Sequence, residues 1–345
     1  MEFVFDLNTI WFILIGVLLT GYAMLDGFDL GVGALHLFMK GDNNRRVLLN
    51  SIGPVWDGNE VWLVTGGGAI FAAFPEVYAT VFSGFYTAFM LLLFMLIFRA
   101  VGIEFRSKQP MEWWRKSWDV AFSISSILIA FLMGVAVGNI ITGVPVGADK
   151  EFAGTFMSLI TPFTVLVGIT TLALFMMHGA IYLTMKTEGE VQKTIKGWTT
   201  NAIIFFVICY VSVTMATLIY YPGMVIPFKE HPAFFIIAIV NMLAIANIPR
   251  EMHAGNPSAD RRAFFSSCIS ILALMSIFAI GLFPNFVKST IDPSYNLTIY
   301  NAASSQGTLQ TMLIIAIIGI PFVLAYTISI YWVFRGKVKI DSTSY

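Results

Sequence analysis

Charged residues are scarce in this sequence. They make up 12% of its 345 residues, and 20 lysines and arginines balance 20 aspartates and glutamates. A soluble chain carries about 25% charged residues, so this scarcity, together with 57% hydrophobic residues, excludes an ordinary soluble enzyme. The formal net charge of zero and the lack of a basic tract exclude nucleic acid as a partner. The composition indicates an integral membrane protein.

Side chains that bind metals or phosphates are also few. Cys209 and Cys268 lie alone in separate apolar segments, which argues against a disulfide or a metal pair. Among four scattered histidines, only His178 lies deep enough to be considered as an axial haem ligand, and a hydrogen-bonded core histidine is the favoured interpretation. The run Gly66–Gly68 has no strand before it and no GK[ST] after it, so it is not a phosphate loop. We expect no metal site in this chain.

Long apolar runs are abundant instead. A membrane-spanning helix needs about 20 mostly apolar residues. Nine segments meet this description: about 8–38, 51–73, 77–100, 119–141, 162–185, 197–220, 232–248, 263–283 and 308–334. Pro54 is expected in the first turn of the second segment, and Pro75 is expected to close it. The sequence therefore predicts an all-α polytopic protein with nine transmembrane helices, surrounded by membrane lipid.

The basic residues predict the orientation of these helices. Seventeen of the 20 lysines and arginines, including Arg99 and Arg106 after the third helix, fall in connections on one side. Only Lys150, Lys229 and Lys288 fall on the other side. Because basic loops stay in the cytoplasm, we expect the N-terminus outside and the C-terminus in the cytoplasm, which requires an odd number of helices.

A weak internal repeat suggests two related halves. The segments GALHLFMK at 33–40 and GAIYLTMK at 179–186 agree at five of eight positions, 146 residues apart. A second pair of similar segments lies 142 residues apart, so the two offsets are consistent. We predict a first four-helix bundle at 1–145, a second at 146–290, and a ninth helix with a cytoplasmic tail at 291–345.

Acidic residues inside two predicted helices are the main functional signal. The first helix holds Asp26, Asp29 and His36, whose spacings of three and seven residues place them on one face. The second holds Asp57 and Glu60, three residues apart, and neither helix contains lysine or arginine. Antiparallel helices joined by a short loop normally pack together. We expect the four carboxylates and the histidine to gather in the cytoplasmic half of this helix pair, without a counter-charge.

Two interpretations of these acids stay open. In the structural one, burial protonates the carboxyl groups or they bond to backbone, and Asp26 and Asp29 shape a tight crossing beside their neighbouring glycines. In the functional one, the acids take up and release protons along a path through the membrane. Each ionisable residue in a span costs about 2.5–3.5 kcal/mol on insertion scales, and several uncompensated acids favour the functional interpretation. An ion-coupled secondary transporter would use the same acids, but no broken pair of mid-membrane helices supports it.

Two motifs carry a resemblance to a known family. GYAMLDGFDLGVGALHLF and GPVWDGNEVWLVTGGG, with the residues that follow to FRAVGIEFR, lie within residues 15–106. This region closely resembles subunit II of the cytochrome bd-type quinol oxidases, and a looser likeness continues to the C-terminus. The resemblance implies the same nine helices and a heterodimeric terminal oxidase in the cytoplasmic membrane of a bacterium or archaeon, which oxidises quinol and reduces dioxygen to water.

The resemblance also implies cofactors and partners. Two b-type haems, one d-type haem and the quinol-oxidising loop belong to subunit I, which this chain supports. Some family members add a small single-helix third subunit, and some hold a quinone within subunit II. Asp57, in the VWDGNE motif, is implied as the relay of a proton path from the cytoplasm to the oxygen-reducing haem. Such a path generates a proton motive force without a pump.

The remaining candidates are given secondary roles. Asp26 and Asp29 match the LDGFDLG motif and are implied as structural or secondary proton-path residues. We expect Glu60 to assist Asp57, and Asp29 or His36 to collect protons at the mouth of the path. The side chains expected to pack near the partner or a quinone are Trp56 and Trp62. A purely structural scaffold for subunit I is the rival interpretation, which the sequence barely separates from a proton-conducting role.

Overall fold

A computed structural model of the chain describes residues 6–254 and 256–340, which form an almost entirely helical protein. The helices are α1 Leu7–Leu35, α2 Asp42–Ile52, α3 Trp56–Ala73, α4 Pro75–Gly84, α5 Tyr86–Phe105, α6 Glu112–Thr142, α7 Pro162–Lys186, α8 Gly189–Tyr220, α9 Ile226–Glu230, α10 Phe235–His253, α11 Pro257–Leu282 and α12 Gln306–Val333. A short antiparallel hairpin, β1 Asn285–Val287 and β2 Leu297–Thr298, lies between α11 and α12.

Eight helices within 6–254 and 256–340 are long and apolar enough to cross a membrane. They correspond to eight of the nine predicted segments. The predicted segment at 51–73 is not among them, because α2 ends at Ile52 and α3 begins only at Trp56. The first five residues of α3 include Asp57, Asn59 and Glu60, which lower the mean hydropathy of this short helix. The count of nine transmembrane helices and the predicted topology are therefore not confirmed.

The predicted second and third segments, 51–73 and 77–100, are divided into shorter helices at prolines and at a turn. Pro54 lies in the turn before α3, so its predicted place in the first turn of that helix is wrong. Pro75 follows the end of α3 and begins α4, where its missing N–H costs little. The predicted helix at 77–100 is interrupted at Phe85, which separates α4 from α5.

The first helix lies at the centre of the structure, where it packs against α3, α6 and α7. Its crossing with α7 is close enough to require glycine on both helices. A Cβ atom on Gly31 would lie 1.8 Å from the carbonyl oxygen of Phe175, and one on Gly179 would lie 2.6 Å from the carbonyl carbon of Gly31. Small residues permit this approach of backbones in membrane helices. The crossing holds α1, with its acidic motif, against α7.

The last helix is much more exposed. Leu309 is its one buried residue, although α12 contacts both α1 and α3. The segment after the helix is attached to the end of α7, since the Lys186 ammonium donates to the Phe334 carbonyl (2.6 Å) and the Val338 amide donates to the Lys186 carbonyl (2.9 Å). These bonds position the end of α12 that carries Tyr331.

Among the remaining long helices, those that follow one another in sequence pack together: α7 packs on α8, and α10 packs on α11. Helix α11 also contacts α7 and α1. The first half has comparable contacts of α1 with α3 and α6, and of α5 with α6. The division into two related bundles at 1–145 and 146–290 stays a prediction.

Candidate functional site

Asp26 is paired with an arginine from another helix. The guanidinium of Arg99, inside α5, donates two hydrogen bonds to the Asp26 carboxylate, one of them 2.7 Å from Nη1 to Oδ2. Both side chains are fully buried. Arg99 therefore lies within the helical bundle and not in the cytoplasmic connection after the third helix. The expectation that these acids have no counter-charge is wrong for Asp26.

Asp29 is held by an amide instead of a cation. The Asn59 side chain donates to Asp29 Oδ2 (2.7 Å) and to the Leu25 carbonyl (3.1 Å). The Tyr331 hydroxyl of α12 donates to Asn59 Oδ1 (2.9 Å). Asn59 and Asp29 are buried, so this chain of hydrogen bonds ties α1, α3 and α12 together at one point.

Glu60 extends from α3 towards the same pair. One of its carboxylate oxygens lies 3.9 Å from Arg99 Nη2, and 23% of its side chain is exposed. Three acids, Asp26, Asp29 and Glu60, thus share the single positive charge of Arg99. Burying like charges in a low-dielectric interior is costly unless they are paired, so this group of acids depends on Arg99 as its counter-charge.

Asp57 has a different setting from the other acids. It lies in the first turn of α3 and is exposed on the surface of this chain. Glu60 follows one turn later on the same side of the helix, within electrostatic range of Asp57. A carboxylate at this position also interacts favourably with the helix dipole, worth about 0.3–1 kcal/mol. The structure therefore places Asp57 on the exposed surface of this chain, one helical turn before Glu60.

His36 does not join the acidic group of α1 and α3. Its Nε2 lies 2.6 Å from Asp119 Oδ1 of α6. Asp119 also accepts from Arg106 Nε (2.6 Å) and from Arg45 Nη1 (3.1 Å). The expected gathering of His36 with the four carboxylates is therefore wrong, because the histidine belongs to a separate network of ion pairs.

The two tryptophans pack mainly on this chain. Trp56 is buried in a core cluster with Phe28, Ile52 and Tyr182. The ring of Trp62 lies directly against α1, where a Cβ atom on Gly21 would come within 2.3 Å of it. Trp56 thus offers little surface to a partner subunit or a quinone, and Trp62 is half-buried.

Three residues of the site were not singled out by sequence reasoning: Arg99, Asn59 and Tyr331. Arg99 carried a signal, since an arginine at the end of an apolar run is costly unless it is paired. Asn59 lies within the VWDGNE motif, between the two acids that drew attention. Tyr331 carried no signal, because its partner is 272 residues away in the sequence.

The described residues 6–254 and 256–340 contain no group of three or more histidine, cysteine, aspartate or glutamate side chains arranged to hold a metal ion. His178 does not fit a haem ligand, because both ring nitrogens are engaged. Nδ1 lies 2.7 Å from Ser267 Oγ, and Nε2 lies 2.9 Å from the Met24 carbonyl oxygen.

Comparison with known proteins identifies the family. Residues 7–334 match the family model described as cytochrome bd terminal oxidase subunit II. The chain is 34% identical over 367 residues to cytochrome bd-I ubiquinol oxidase subunit 2 of Escherichia coli strain K12, covering 96% of this chain and 95% of the relative. It is 35% identical over 339 residues to cytochrome bd ubiquinol oxidase subunit 2 of Bacillus subtilis strain 168, covering 97% of each. The chain belongs to the cytochrome bd oxidase subunit II family.

The fold comparison agrees with this membership. A chain of the bd oxidase structure from Geobacillus thermodenitrificans superimposes with a TM-score of 0.78 at 15% identity, covering 95% of this chain and 98% of that one. At this identity the likeness concerns the fold alone. A subunit II is part of an oxidoreductase complex of respiratory electron transport, and the family implies a partner subunit I that holds the haems. The resemblance deduced from the two motifs is confirmed.

Proposed function

We propose that this chain supports subunit I of a quinol-oxidising, dioxygen-reducing complex and provides a proton path from the cytoplasm towards the oxygen-reducing haem of that subunit. The complex lies in the cytoplasmic membrane of a bacterium or archaeon. Asp57 is the entry relay of the path, and Glu60 is the next group inward.

The observation that carries this proposal is the graded burial of the acids. Asp57 is exposed, Glu60 is partly exposed, and Asp29 is fully buried. Asp57 and Glu60 lie on one face of α3, and Glu60 reaches the Arg99–Asp26 pair of α5 and α1. A proton taken from the surface thus meets successive acceptors at increasing depth.

The reduction of dioxygen requires a proton path of this kind. Reduction of dioxygen to water consumes protons, and a site buried in a bilayer cannot take them from lipid. Protons taken from the cytoplasm, while quinol releases its protons outside, charge the membrane without a pump. In this chain, Asp57 and Glu60 accept and pass protons, while Arg99 holds the charge of Asp26 in place.

A scaffold role is supported for part of the site. The ion pair of Arg99 with Asp26 holds α5 against α1, so we assign Asp26 to support and not to proton transfer. His36 contacts Asp119 in a network of ion pairs, which supports a structural role for it as well. A quinone bound in this chain and a small third subunit stay predictions.

The replacement Asp57→Asn tests the proton path in the assembled complex. Oxygen consumption should fall about tenfold or more, because a relay that no longer ionises loses most of an acid–base contribution. The optical spectra of the haems should remain, since the amide keeps the size of the side chain. Asp149→Asn, an exposed acid in the connection between α6 and α7, is the matched control and should retain activity. Unchanged oxygen consumption in assembled Asp57→Asn complex would remove Asp57 from the path.

A further inference from the structure

Four buried polar atoms beside the Asp26–Arg99 pair have no hydrogen-bond partner among residues 6–254 and 256–340. They are Tyr22 Oη, Asp29 Oδ1, Glu60 Oε2 and Arg99 Nε. Their residues come from α1, α3 and α5, and each lies within electrostatic range of Asp26. Buried polar atoms in proteins are hydrogen-bonded in roughly 90% of cases or more. Four exceptions around one residue require a common explanation.

The chemistry of these atoms restricts what binds them. The carboxylate oxygens of Asp29 and Glu60 accept hydrogen bonds or coordinate a cation, and the Tyr22 hydroxyl does either. Arg99 Nε, in contrast, only donates, so a bare metal cation leaves it unsatisfied. Water both donates and accepts, and buried water typically makes about three hydrogen bonds to such groups.

We propose that internal water molecules are bound between α1, α3 and α5 by Tyr22, Asp29, Glu60 and Arg99, and that they connect Glu60 with Asp29. The connection rests on the proposed proton path, whereas the water site itself does not. The connection through water extends the proposed proton path from Glu60 to Asp29, one step further than the side chains alone reach.

Asn59 determines which oxygen of Asp29 faces this water. The Leu25 carbonyl only accepts, so the amide nitrogen of Asn59 must point towards it, and the same nitrogen donates to Asp29 Oδ2. The Tyr331 hydroxyl satisfies the amide oxygen on the other side. Asp29 Oδ2 is therefore always an acceptor, and a proton on this carboxyl group must sit on Oδ1, one of the four atoms without a protein partner.

Glu60 connects the water site with the surface. Its side chain is 23% exposed, yet its Oε2 is enclosed beside Arg99. A proton leaves Glu60 as one O–H bond breaks, and each water passes a proton onward as it accepts another. The transfer ends with an O–H bond at Asp29 Oδ1. No electrons are transferred, and the water is unchanged.

A density map of the assembled oxidase, at a resolution that shows ordered water, tests the site directly. We expect peaks about 2.7–3.2 Å from Arg99 Nε and from Asp29 Oδ1. Direct contacts among the four side chains, with no water between them, would overturn the proposal. Density for a metal ion or an organic molecule in this place would overturn it equally.

Tyr22→Phe tests the function of the water. This change removes one hydroxyl and keeps the ring, so the water beside it should be lost and oxygen consumption should fall about fivefold, as expected for one hydrogen bond. Tyr182→Phe is the control, since that hydroxyl is also buried but donates to the Ser51 carbonyl, and it should change neither. Retained water with unchanged turnover in Tyr22→Phe would contradict the proposal.

The two proposals fail separately. If the waters are present but Asp57→Asn has full activity, the entry through Asp57 is wrong and the water site stands. If Asp57→Asn is impaired but no water lies between Glu60 and Asp29, the water proposal alone is wrong.

Discussion

The Arg99 guanidinium of α5 and the Asp26 carboxylate of α1 form a bidentate ion pair, and both side chains are fully buried. Two hydrogen bonds in parallel fix the geometry of the guanidinium and orient α5 against α1. In the sequence, Asp26, Asp29 and Glu60 look like a cluster of acids without a counter-charge. In the structure, Asp26 forms a neutral pair with Arg99, and the other two acids lie beside this pair.

Removal of one partner from this pair should be strongly destabilising. Arg99→Leu leaves Asp26 buried without its cation, which costs about 3–5 kcal/mol for a broken buried pair. We expect a lower thermal unfolding temperature of the purified complex, or loss of assembly in the membrane.

A surface pair provides the comparison for Arg99→Leu. The Arg115–Asp42 pair has side chains that are 34% and 41% exposed, and such pairs contribute about 0–1 kcal/mol. Arg115→Leu should therefore unfold close to the unaltered complex. Equal destabilisation by the two changes would mean that burial of the Asp26 pair has no special importance.

The ion-pair network around Asp119 should stabilise the packing of α1 against α6. Asp119 is 2% exposed and accepts from two arginines as well as facing His36. In Asp119→Asn, Arg106 keeps its burial but loses its principal anion, so the unfolding temperature should fall. Asp42→Asn changes the other partner of Arg106, which is 41% exposed, and should have the smaller effect. The order of the two unfolding temperatures checks this prediction, and the reverse order would contradict it.

The crossing of α1 and α7 should not tolerate a methyl group. In Gly31→Ala the new Cβ atom would lie 1.8 Å from a backbone oxygen, which no side-chain rotation relieves. The helices must separate, at a cost of about 1–3 kcal/mol or more for an overpacked core. The yield of assembled complex and its unfolding temperature should both decrease.

Gly16→Ala on the same helix is the control for Gly31→Ala. Apart from its chain neighbours and the backbone of its own helix, no atom of the described residues lies within 4 Å of the position that its Cβ atom would occupy. Alanine favours helix over glycine by about 1 kcal/mol, so this variant should be neutral or slightly more stable. A normal yield of Gly31→Ala complex would show that the backbones are not in contact there.

Sequence reasoning located most long helices because their apolar runs are dictated by the thickness of a bilayer. It was least successful at 51–73, where polar residues and Pro54 interrupt the run and the structure has two helices. It also identified the helices that carry the acids, because an ionisable residue in an apolar run is conspicuous without any knowledge of the fold. Membership in the family followed from the motifs that contain Asp29 and Asp57.

The sequence by itself determined that this protein is a helical membrane protein of the bd oxidase subunit II family, since composition, apolar runs and local motifs are properties of neighbouring residues. Only the tertiary structure decided that Arg99 neutralises Asp26, that His36 belongs with Asp119, and that Asn59 holds Asp29. These pairings depend on how each helix is rotated and how closely it approaches the next. Rotation and distance follow from packing between residues far apart in the chain, such as Gly31 and Gly179, which no local pattern records.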